Sequence, residues 1–332
     1  MKILISSHAF APSIGGIETV SASLAEEFSR RGHSVRIVTQ SAGESADKVA
    51  RRPSIGQLVD LLKWCDLFWQ NNLSLRTIWP ALVMRKPIVV THQGSYCRRP
   101  TGSDLALRAK HVVANHVTGV AISEYVASFF HPRPIVIPNP FDAAVFGKIP
   151  AAQRALDLIF VGRLVTEKGV DLLLRALRIL GDRGSRPELT IVGSGPEESN
   201  LRGLTSELSL DSQVTFAGPK RGIALAEEFN RHRILVVPSR YDEPFGVVAL
   251  EGIACGCVVI GSSGGGLPEA IGPCGITFPN GDPEGLADKI RTMLNAPAER
   301  ERLVVNASTH LARFHSSVIA NSYLELFQAK LQ

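Results

Sequence analysis

The sequence predicts an α/β protein of two doubly wound domains, each a parallel sheet covered by helices. Short apolar runs that suit buried parallel strands alternate with helical patterns of period 3.6 along the chain. The chain has 332 residues, which is long for a single domain of about 100–200 residues and comfortable for two. A hydrophobic fraction of 45% and a charged fraction of 20% are ordinary for a globular protein.

The first predicted domain covers residues 1–150 and opens with a strand, a helix and a second strand. The loop after the first strand contains Gly15 and Gly16. Glycines there suit either a tight turn with positive φ or the close approach of a ligand. The loop lacks the G-x-G-x-x-G pattern of dinucleotide-binding proteins.

A later strand of the first domain, residues 88–91, ends at His92. A side chain just beyond the carboxyl end of a parallel strand faces the crevice where open α/β sheets bind ligands. We therefore expect His92 to face that crevice, with a helix-capping role as the alternative.

The second predicted domain covers residues 151–315, and its first strand runs into Gly162 and Arg163. A helical pattern begins after Lys168, so two cations flank a loop beside a helix N-terminus. An Arg fork, a Lys point charge and the helix dipole together suit a diphosphate. A solvated pair of surface cations is the alternative. Gly193 ends the next strand, and Glu198 stands where a dinucleotide fingerprint would need its third glycine.

The stretch from Ser239 to Glu251 follows an apolar strand and leads into another helix. Glu243 precedes that helix, and Glu251 falls about one turn inside it, since a turn takes about 3.6 residues. The helix N-terminus favours anions, and a carboxylate accepts hydrogen bonds from neighbouring hydroxyls. Phosphate plus ribose is the ligand class that fits both demands. Two solvated carboxylates are the alternative.

The ordered set of these motifs resembles the family 4 retaining glycosyltransferases. Glu243-Pro244-Phe245-Gly246 with Glu251 resembles their E-x-F-G-x-x-x-x-E motif, and Gly162–Gly169 resembles G-R-x-x-x-x-K-G. Pro140 and Phe141 depart from the usual Gly and Val of another family segment, I-P-N-G-V-D. The resemblance implies the GT-B fold, in which two Rossmann-like domains face each other across a cleft. It also implies that a C-terminal helix, 316–332, crosses back to the first domain.

The resemblance further implies transfer of a hexose-type sugar from a nucleotide-diphosphate donor to a hydroxyl acceptor, with retention at the anomeric carbon. Arg163 and Lys168 would stabilise the departing diphosphate. Glu243 and His92 would position the sugar, and Glu251 would hold the ribose hydroxyls. The residues expected to line the nucleotide-sugar site besides the two cations and Glu251 are Gly15, Gly16, Gly193, Phe245, Gly246 and Val247.

Charge is unevenly distributed along the chain. Residues 1–150 carry 17 Lys and Arg against 10 Asp and Glu, much of it in the doublets Arg30-Arg31, Arg51-Arg52, Arg85-Lys86 and Arg98-Arg99. A basic first half indicates contact with an anionic membrane surface or with an anionic acceptor, for which a lipid-linked compound is one option. A solvated basic face without a partner is the alternative. Nucleic acid is disfavoured, because no aromatic residues interleave the doublets.

The N-terminus has an apolar core of three residues, shorter than the h-region of a signal peptide, and the five cysteines follow neither zinc nor C-x-x-C spacing. We therefore expect a cytoplasmic protein, with peripheral contact at the inner membrane face as an option. No D-x-D motif ends a strand, so we expect neither a metal nor another cofactor.

Other functions on the same fold class were considered. A nucleotide-sugar epimerase and a catalytically silent nucleotide-sugar-binding protein remain alternatives. A phosphorylase would need a pyridoxal lysine, which no motif supports. A dehydrogenase is disfavoured because the glycine fingerprint is incomplete.

Overall fold

The computed structural model describes residues 1–8, 10, 16–45, 47–94, 105–150 and 153–332. The chain divides into two compact units. Unit 1 comprises Met1–Pro140 and Phe314–Gln332, and unit 2 comprises Phe141–Arg313. Each unit contains a parallel sheet with helices, so the predicted pair of doubly wound α/β domains is confirmed.

Unit 1 alternates strands and helices along the chain. Its strands in the described part are β1 (Lys2–Ser7), β2 (Ser34–Thr39), β3 (Val49–Arg51), β4 (Leu67–Asn71), β5 (Ile88–His92), β6 (Thr118–Ala121) and β7 (Ile135–Val136). Its helices there are α1 (Gly16–Arg30), α2 (Ile55–Trp64), α3 (Leu75–Val83), α4 (Leu105–His116), α5 (Glu124–Ala127) and, from the C-terminal segment, α14 (Ser316–Leu331). The sheet order is β3-β2-β1-β4-β5-β6-β7, with parallel pairing throughout.

The C-terminal helix α14 completes the core of unit 1. Phe327 and Tyr323 on this helix pack with Phe28 of α1 and Trp69 of β4, with ring centroids 4.9 to 6.1 Å apart. The Trp69 indole N–H donates to Thr91 Oγ1 at 2.9 Å, and that oxygen lies 2.8 Å from the Tyr323 hydroxyl. Because both polar tips have a partner, the aromatic cluster can be fully buried. The prediction that the last helix joins the first domain is confirmed.

Unit 2 repeats the same plan. Its strands are β8 (Leu156–Val161), β9 (Leu189–Val192), β10 (Val214–Gly218), β11 (His232–Val237), β12 (Val258–Ser262) and β13 (Gly275–Phe278). Its helices are α6 (Val170–Asp182), α7 (Glu198–Glu207), α8 (Gly222–Arg231), α9 (Val247–Ala254), α10 (Leu267–Ile271), α11 (Pro283–Asn295), α12 (Pro297–Val305) and α13 (Ala307–Ala312). Short 3-10 turns lie at Thr166–Lys168 and Gly272–Cys274.

The sheet of unit 2 has the order β10-β9-β8-β11-β12-β13, again parallel. Strand order reverses between β8 and β11, so the loops after these two strands leave toward opposite faces and open a crevice. Buried residues of α6, including Leu173 and Leu177, and Ile290 of α11 form the core beside this sheet. The crevice at the β8–β11 switch point is therefore held on a rigid base.

The boundary between the units lies at Pro140, which corrects the predicted boundary at residue 150. The segment after Pro140 packs on α8 of unit 2: Phe146 stacks edge-on against Phe229 with centroids 6.2 Å apart. The Asn230 side chain receives a hydrogen bond from the Ile149 N–H and donates one to the Gly147 carbonyl, both at 2.9 Å. The sequence shows the proline and glycine of a linker but not these anchoring contacts.

The role of α14 can be tested by truncating one of its buried rings. Phe327→Ala should destabilise the protein by about 3–5 kcal/mol, because the ring is fully buried among other aromatic side chains. The control is Leu331→Ala on the same helix, where the side chain is 38% exposed and a loss within about 0.5 kcal/mol is expected. Denaturant unfolding measures both. Equal, small losses for the two variants would mean that α14 does not pack as described.

Candidate functional site

The switch point of the unit 2 sheet collects the charged residues predicted for the nucleotide site. Arg163 lies two residues after β8, and Lys168 ends the 3-10 turn that precedes α6. Glu243 lies in the loop after β11, and α9 follows from Val247. Because β8 and β11 are adjacent parallel strands, the carboxyl ends of both open at the same edge. The structure thus brings Arg163, Lys168 and Glu243 into one neighbourhood.

Close backbone packing between the β8 and β9 loops needs a glycine. Gly193 has φ of +149°, and a Cβ atom there would lie 1.9 Å from the carbonyl oxygen of Gly162. Any side chain would push the β8 loop, and Arg163 with it, out of place. Gly193, predicted to line the nucleotide site, is therefore seen to set the position of the Arg163 loop.

The entry to α9 depends on a second glycine. Gly246 is the N-cap residue with φ of +113°, and a Cβ atom there would lie 2.6 Å from the Leu267 side chain. Phe245 before it is buried, and Val247 is the first helical residue. The backbone N–H groups of a helical first turn have no intrahelical partner, so this end of α9 can bind an anion.

Glu243 is the most heavily hydrogen-bonded acid of the site. Its Oε1 accepts from Lys168 Nζ at 2.5 Å and from Ser239 Oγ at 2.6 Å. Its Oε2 accepts from the Tyr241 hydroxyl at 2.5 Å. The Glu243 side chain is only 7% exposed. A buried carboxylate needs such partners to offset the loss of hydration, and these three fix its orientation.

Tyr241 holds both members of the Lys168–Glu243 ion pair. Burial, and then the charge of Glu243, raise the pKa of the Tyr241 hydroxyl, so it remains a proton donor. The same hydroxyl lies 3.3 Å from Lys168 Nζ, which is 5.3 Å from the centre of the tyrosine ring. The ammonium is therefore held by one carboxylate, one hydroxyl and one aromatic face.

Arg163 differs from Lys168 in having no hydrogen-bond or ion-pair partner among the described residues. Its side chain is exposed, and in the described part of the chain it makes no hydrogen bond or ion pair. Its positive charge nevertheless acts on Tyr241, where it lowers the phenol pKa against the larger effects that raise it. The guanidinium thus lies near Tyr241 with its donors available to a ligand.

Glu251 lies one turn inside α9 and is half-buried. Burial, and then the negative charge of Asp142, raise its pKa from 4.5 to about 8. Its carboxyl group is therefore mostly protonated at neutral pH. In the described residues no cation lies close enough to pair with it. An acid kept neutral in this way can hydrogen-bond a ligand without first losing a salt bridge.

The structure corrects the predicted placement of His92. This residue ends β5 rather than following it, and its side chain is 1% exposed. The imidazole stacks on Phe130 with ring centres 4.0 Å apart, and its Nε2 lies 3.0 Å from where a Cβ of Gly119 would be. Burial lowers the His92 pKa to about 3, so the ring is neutral. Among the described residues it packs within unit 1 on Phe130, and its catalytic role stays a prediction.

The residue after His92 was missed by the sequence analysis. Gln93 Nε2 donates to Asn71 Oδ1 at 2.8 Å and to Asn139 Oδ1 at 3.1 Å, while Asn139 Nδ2 donates back to Gln93 Oε1 at 2.8 Å. This buried amide cluster joins the ends of β4 and β5 to the segment that leaves unit 1. Successive side chains of an extended chain point to opposite faces of the sheet, so Gln93 lies on the face opposite to that of His92.

Ser239 and Tyr241 were also missed as functional residues. They precede Glu243 by four and two residues, and only the fold of the loop shows that both hydroxyls turn toward its carboxylate. Of the predicted first loop, Gly16 is the first residue of α1, whereas Gly15 lies outside the described residues. The described residues contain no cluster of three or more His, Cys, Asp or Glu suited to a metal ion.

Comparison with known proteins identifies the family. The profile of the glycosyl transferases group 1 matches residues 143–310, just over half of the chain. The chain belongs to the group 1 glycosyltransferases. The family predicted from the sequence motifs is thereby confirmed.

Curated relatives match part of the chain. A D-inositol 3-phosphate glycosyltransferase from Stackebrandtia nassauensis is 34% identical over 219 residues, which are 59% of this chain and 49% of the relative. A protein of the same name from Streptomyces avermitilis is 34% identical over 204 residues, 57% of this chain and 43% of the relative. The chain thus spans about half the length of the curated relatives it matches.

Solved structures match the whole fold at low identity. HepE from Anabaena, crystallised with UDP and glucose, superposes with a TM-score of 0.81 at 20% identity, covering 99% of this chain and 100% of HepE. A glycosyltransferase from Rickettsia africae gives 0.81 at 17% identity, covering 100% of this chain and 98% of its own. These likenesses establish the fold. Across the described residues, none of the helices has the length and apolarity needed to span a bilayer.

The raised pKa of Glu251 predicts a pH-dependent stability. In the unfolded chain this carboxyl group ionises near pH 4.5, and in the folded protein near 8, so the folded state holds the extra proton between these values. Stability should fall as pH rises through that window and level off above it. Glu251→Gln, which cannot ionise, should therefore be increasingly more stable than wild type from pH 5 to pH 8. Urea unfolding at several pH values checks this, and parallel curves for the two proteins would contradict it.

Proposed function

We propose that this protein transfers a sugar from a nucleotide-diphosphate donor to a hydroxyl acceptor, with retention at the anomeric carbon. The observation that carries the proposal is that two cations lie at the β8–β11 switch point, one fixed by an ion pair and one available to a ligand. Arg163 is unpartnered in the described part of the chain, and Lys168 is fixed by Glu243. The HepE structure with UDP and glucose supports UDP as the nucleotide of the donor.

The two cations have complementary donor capacity. A guanidinium offers five N–H donors in a planar fork, and an ammonium offers three. Lys168 uses two of its donors, on Glu243 and Tyr241, which leaves one for a phosphate oxygen. Arg163 and the first turn of α9 supply the others. Negative charge grows on the diphosphate as its bond to the sugar breaks, and prepositioned donors stabilise that charge.

Glu243 acts in this scheme chiefly by positioning Lys168. Three of the roughly four acceptor sites of its carboxylate are already filled by protein donors. The remaining site on Oε2 is what a sugar hydroxyl would use, so contact with the sugar stays a secondary proposal. This geometry also gives Ser239 and Tyr241 a role, since they orient the carboxylate.

Glu251 is proposed to bind the ribose hydroxyls. Hydroxyl donors favour the ionised carboxylate, and ionisation of a group whose pKa is about 8 releases a proton near neutral pH. Nucleotide binding should therefore be linked to proton release at Glu251. Asp142 opposes the ionised form, so the strength of binding depends on how far the ligand offsets that repulsion.

The acceptor is proposed to be a hydroxyl compound that carries negative charge. The curated relatives named D-inositol 3-phosphate glycosyltransferase support an anionic acceptor. Contact of the basic first half with an anionic membrane surface remains a proposal. The side chains of Arg31, Arg52 and Lys86 donate to backbone carbonyls within unit 1.

We also propose catalysis without a metal ion or another cofactor. Arg163, Lys168 and the first turn of α9 supply the positive potential that a divalent ion would otherwise bring to the diphosphate. An epimerase would use the same nucleotide site, and a silent binding protein would bind the donor without turnover. Release of free nucleoside diphosphate from a sugar nucleotide distinguishes the transferase from both.

Loss of the Lys168 charge should reduce turnover. Charge-assisted hydrogen bonds contribute about 1.5–3 kcal/mol each, so Lys168→Ala should lower the release of nucleotide from UDP-sugars about 10- to 100-fold with the fold intact. Lys289→Ala, on the exposed face of α11, is the matched control and should behave like wild type. Near wild-type turnover of Lys168→Ala would remove this residue from the site.

Chelation should leave the activity largely unchanged. Nucleotide release is measured with and without EDTA, and then after addition of Mg²⁺ or Mn²⁺. Complete loss in EDTA that either ion restores would show that a metal, and not Arg163 with Lys168, neutralises the leaving group.

A further inference from the structure

A second candidate site lies in unit 1. Near the carboxyl ends of β2 and β4, a cavity of about 260 Å³ opens between the first turns of α2 and α3. Its walls are Gln40, Pro53, Ser54, Ile55, Leu58, Arg76, Thr77 and Trp79. Open α/β folds bind ligands between loops at the carboxyl edge of the parallel sheet.

Most of the cavity lining is apolar, and its one charged side chain, Arg76, favours an anion. Arg76 is exposed, and it has neither a hydrogen bond nor an ion pair with the described residues. None of the lining side chains is acidic, and neither α2 nor α3 carries an acid in its first turn. Both helices also direct the positive end of their dipole here.

The face of α3 that follows Arg76 is apolar and exposed. Trp79 lies three residues after Arg76, and Leu82 and Val83 lie three and four residues after Trp79, so they follow one another along one face. Their exposed fractions are 47%, 37% and 74%. Arg76 is the one charged residue of α3. A solvated helix would carry polar groups on such a face, and a continuous apolar stripe there suits an apolar partner.

We propose that unit 1 binds an anionic lipid, with its phosphate or carboxylate head group at Arg76 in the cavity and its hydrocarbon chain along Trp79, Leu82 and Val83. This surface has a charged end at Arg76 and an apolar end at Val83, and an amphiphile has a charged head followed by an apolar chain in the same way. The assignment of this lipid as the sugar acceptor rests on the proposed function, whereas its binding does not.

Binding can be measured without any donor. The probes are octyl phosphate, octyl glucoside with the same chain but no charge, and inorganic phosphate without a chain, each below micelle-forming concentration. Calorimetry gives the affinities, and fluorescence of Trp79, with Trp79→Phe as the blank, reports contact with the stripe. Octyl phosphate should bind at least about tenfold more tightly than either partial probe, because it alone gains both the charge-assisted and the apolar contacts.

Two variants divide the surface into its parts. Arg76→Gln should weaken octyl phosphate about 10- to 100-fold and leave octyl glucoside unchanged, since a hydrogen bond to a charged group contributes that much. Val83→Ser should weaken both amphiphiles by a few-fold. Val305→Ser, a 77% exposed valine on α12 of unit 2, is the control for the apolar change. Unchanged denaturation midpoints establish that the variants are folded.

The proposal is overturned if octyl phosphate binds no better than inorganic phosphate, or if Arg76→Gln binds it like wild type. Hydrolysis of UDP-sugars, in which water takes the place of the acceptor and the nucleoside diphosphate is released, is measured in parallel and tests the proposed function separately. Release of nucleotide by a protein that does not bind octyl phosphate would contradict the lipid site but not the proposed function. Lipid binding without release from any donor would support the site and count against the transferase.

Discussion

The ion pair between Lys168 and Glu243 is the interaction on which the proposed site depends. It joins the loop after β8 to the loop after β11, across the point where the strand order of the unit 2 sheet reverses. A pair this buried is stable only with further hydrogen bonds, and Ser239 and Tyr241 provide them. The fold therefore presents a cation in a fixed place, with the exposed charge of Arg163 near it.

The sequence predicts the elements of this arrangement but not the pairing. Apolar runs ending in Gly162 and at Ser239 locate two strand ends, and the motif locates Glu243. Lys168 and Glu243 are 75 residues apart, and only the adjacency of β8 and β11 brings them together. The roles of the hydroxyls at 239 and 241 depend on loop conformation, for which their spacing gives no distinctive signal. The sequence therefore predicts that Glu243 and Lys168 both lie near one ligand, but it does not predict that they contact each other.

Burial explains the other differences between prediction and structure. The sequence does not show on which side of β5 the His92 side chain lies. In the structure the imidazole stacks on Phe130 and is buried. Burial, and then the charge of Asp142 more than a hundred residues earlier in the chain, raise the pKa of Glu251. The arginine doublets look like a basic surface in sequence, yet Arg31 and Arg52 bond backbone carbonyls. Tertiary partners, which periodicity does not show, decide each case.

The account's central claim is that Glu243 serves the site through Lys168, and a double-mutant cycle tests it most directly. UDP and a UDP-sugar are titrated into wild type, Lys168→Ala, Glu243→Gln and the double variant. The account predicts that Glu243→Gln weakens UDP itself, and that the double variant binds little worse than Lys168→Ala. The coupling should then lie within the roughly 0.5–3 kcal/mol of residues in direct contact. If Glu243→Gln binds UDP like wild type and loses only the sugar nucleotide, Glu243 acts on the sugar and the claim is wrong.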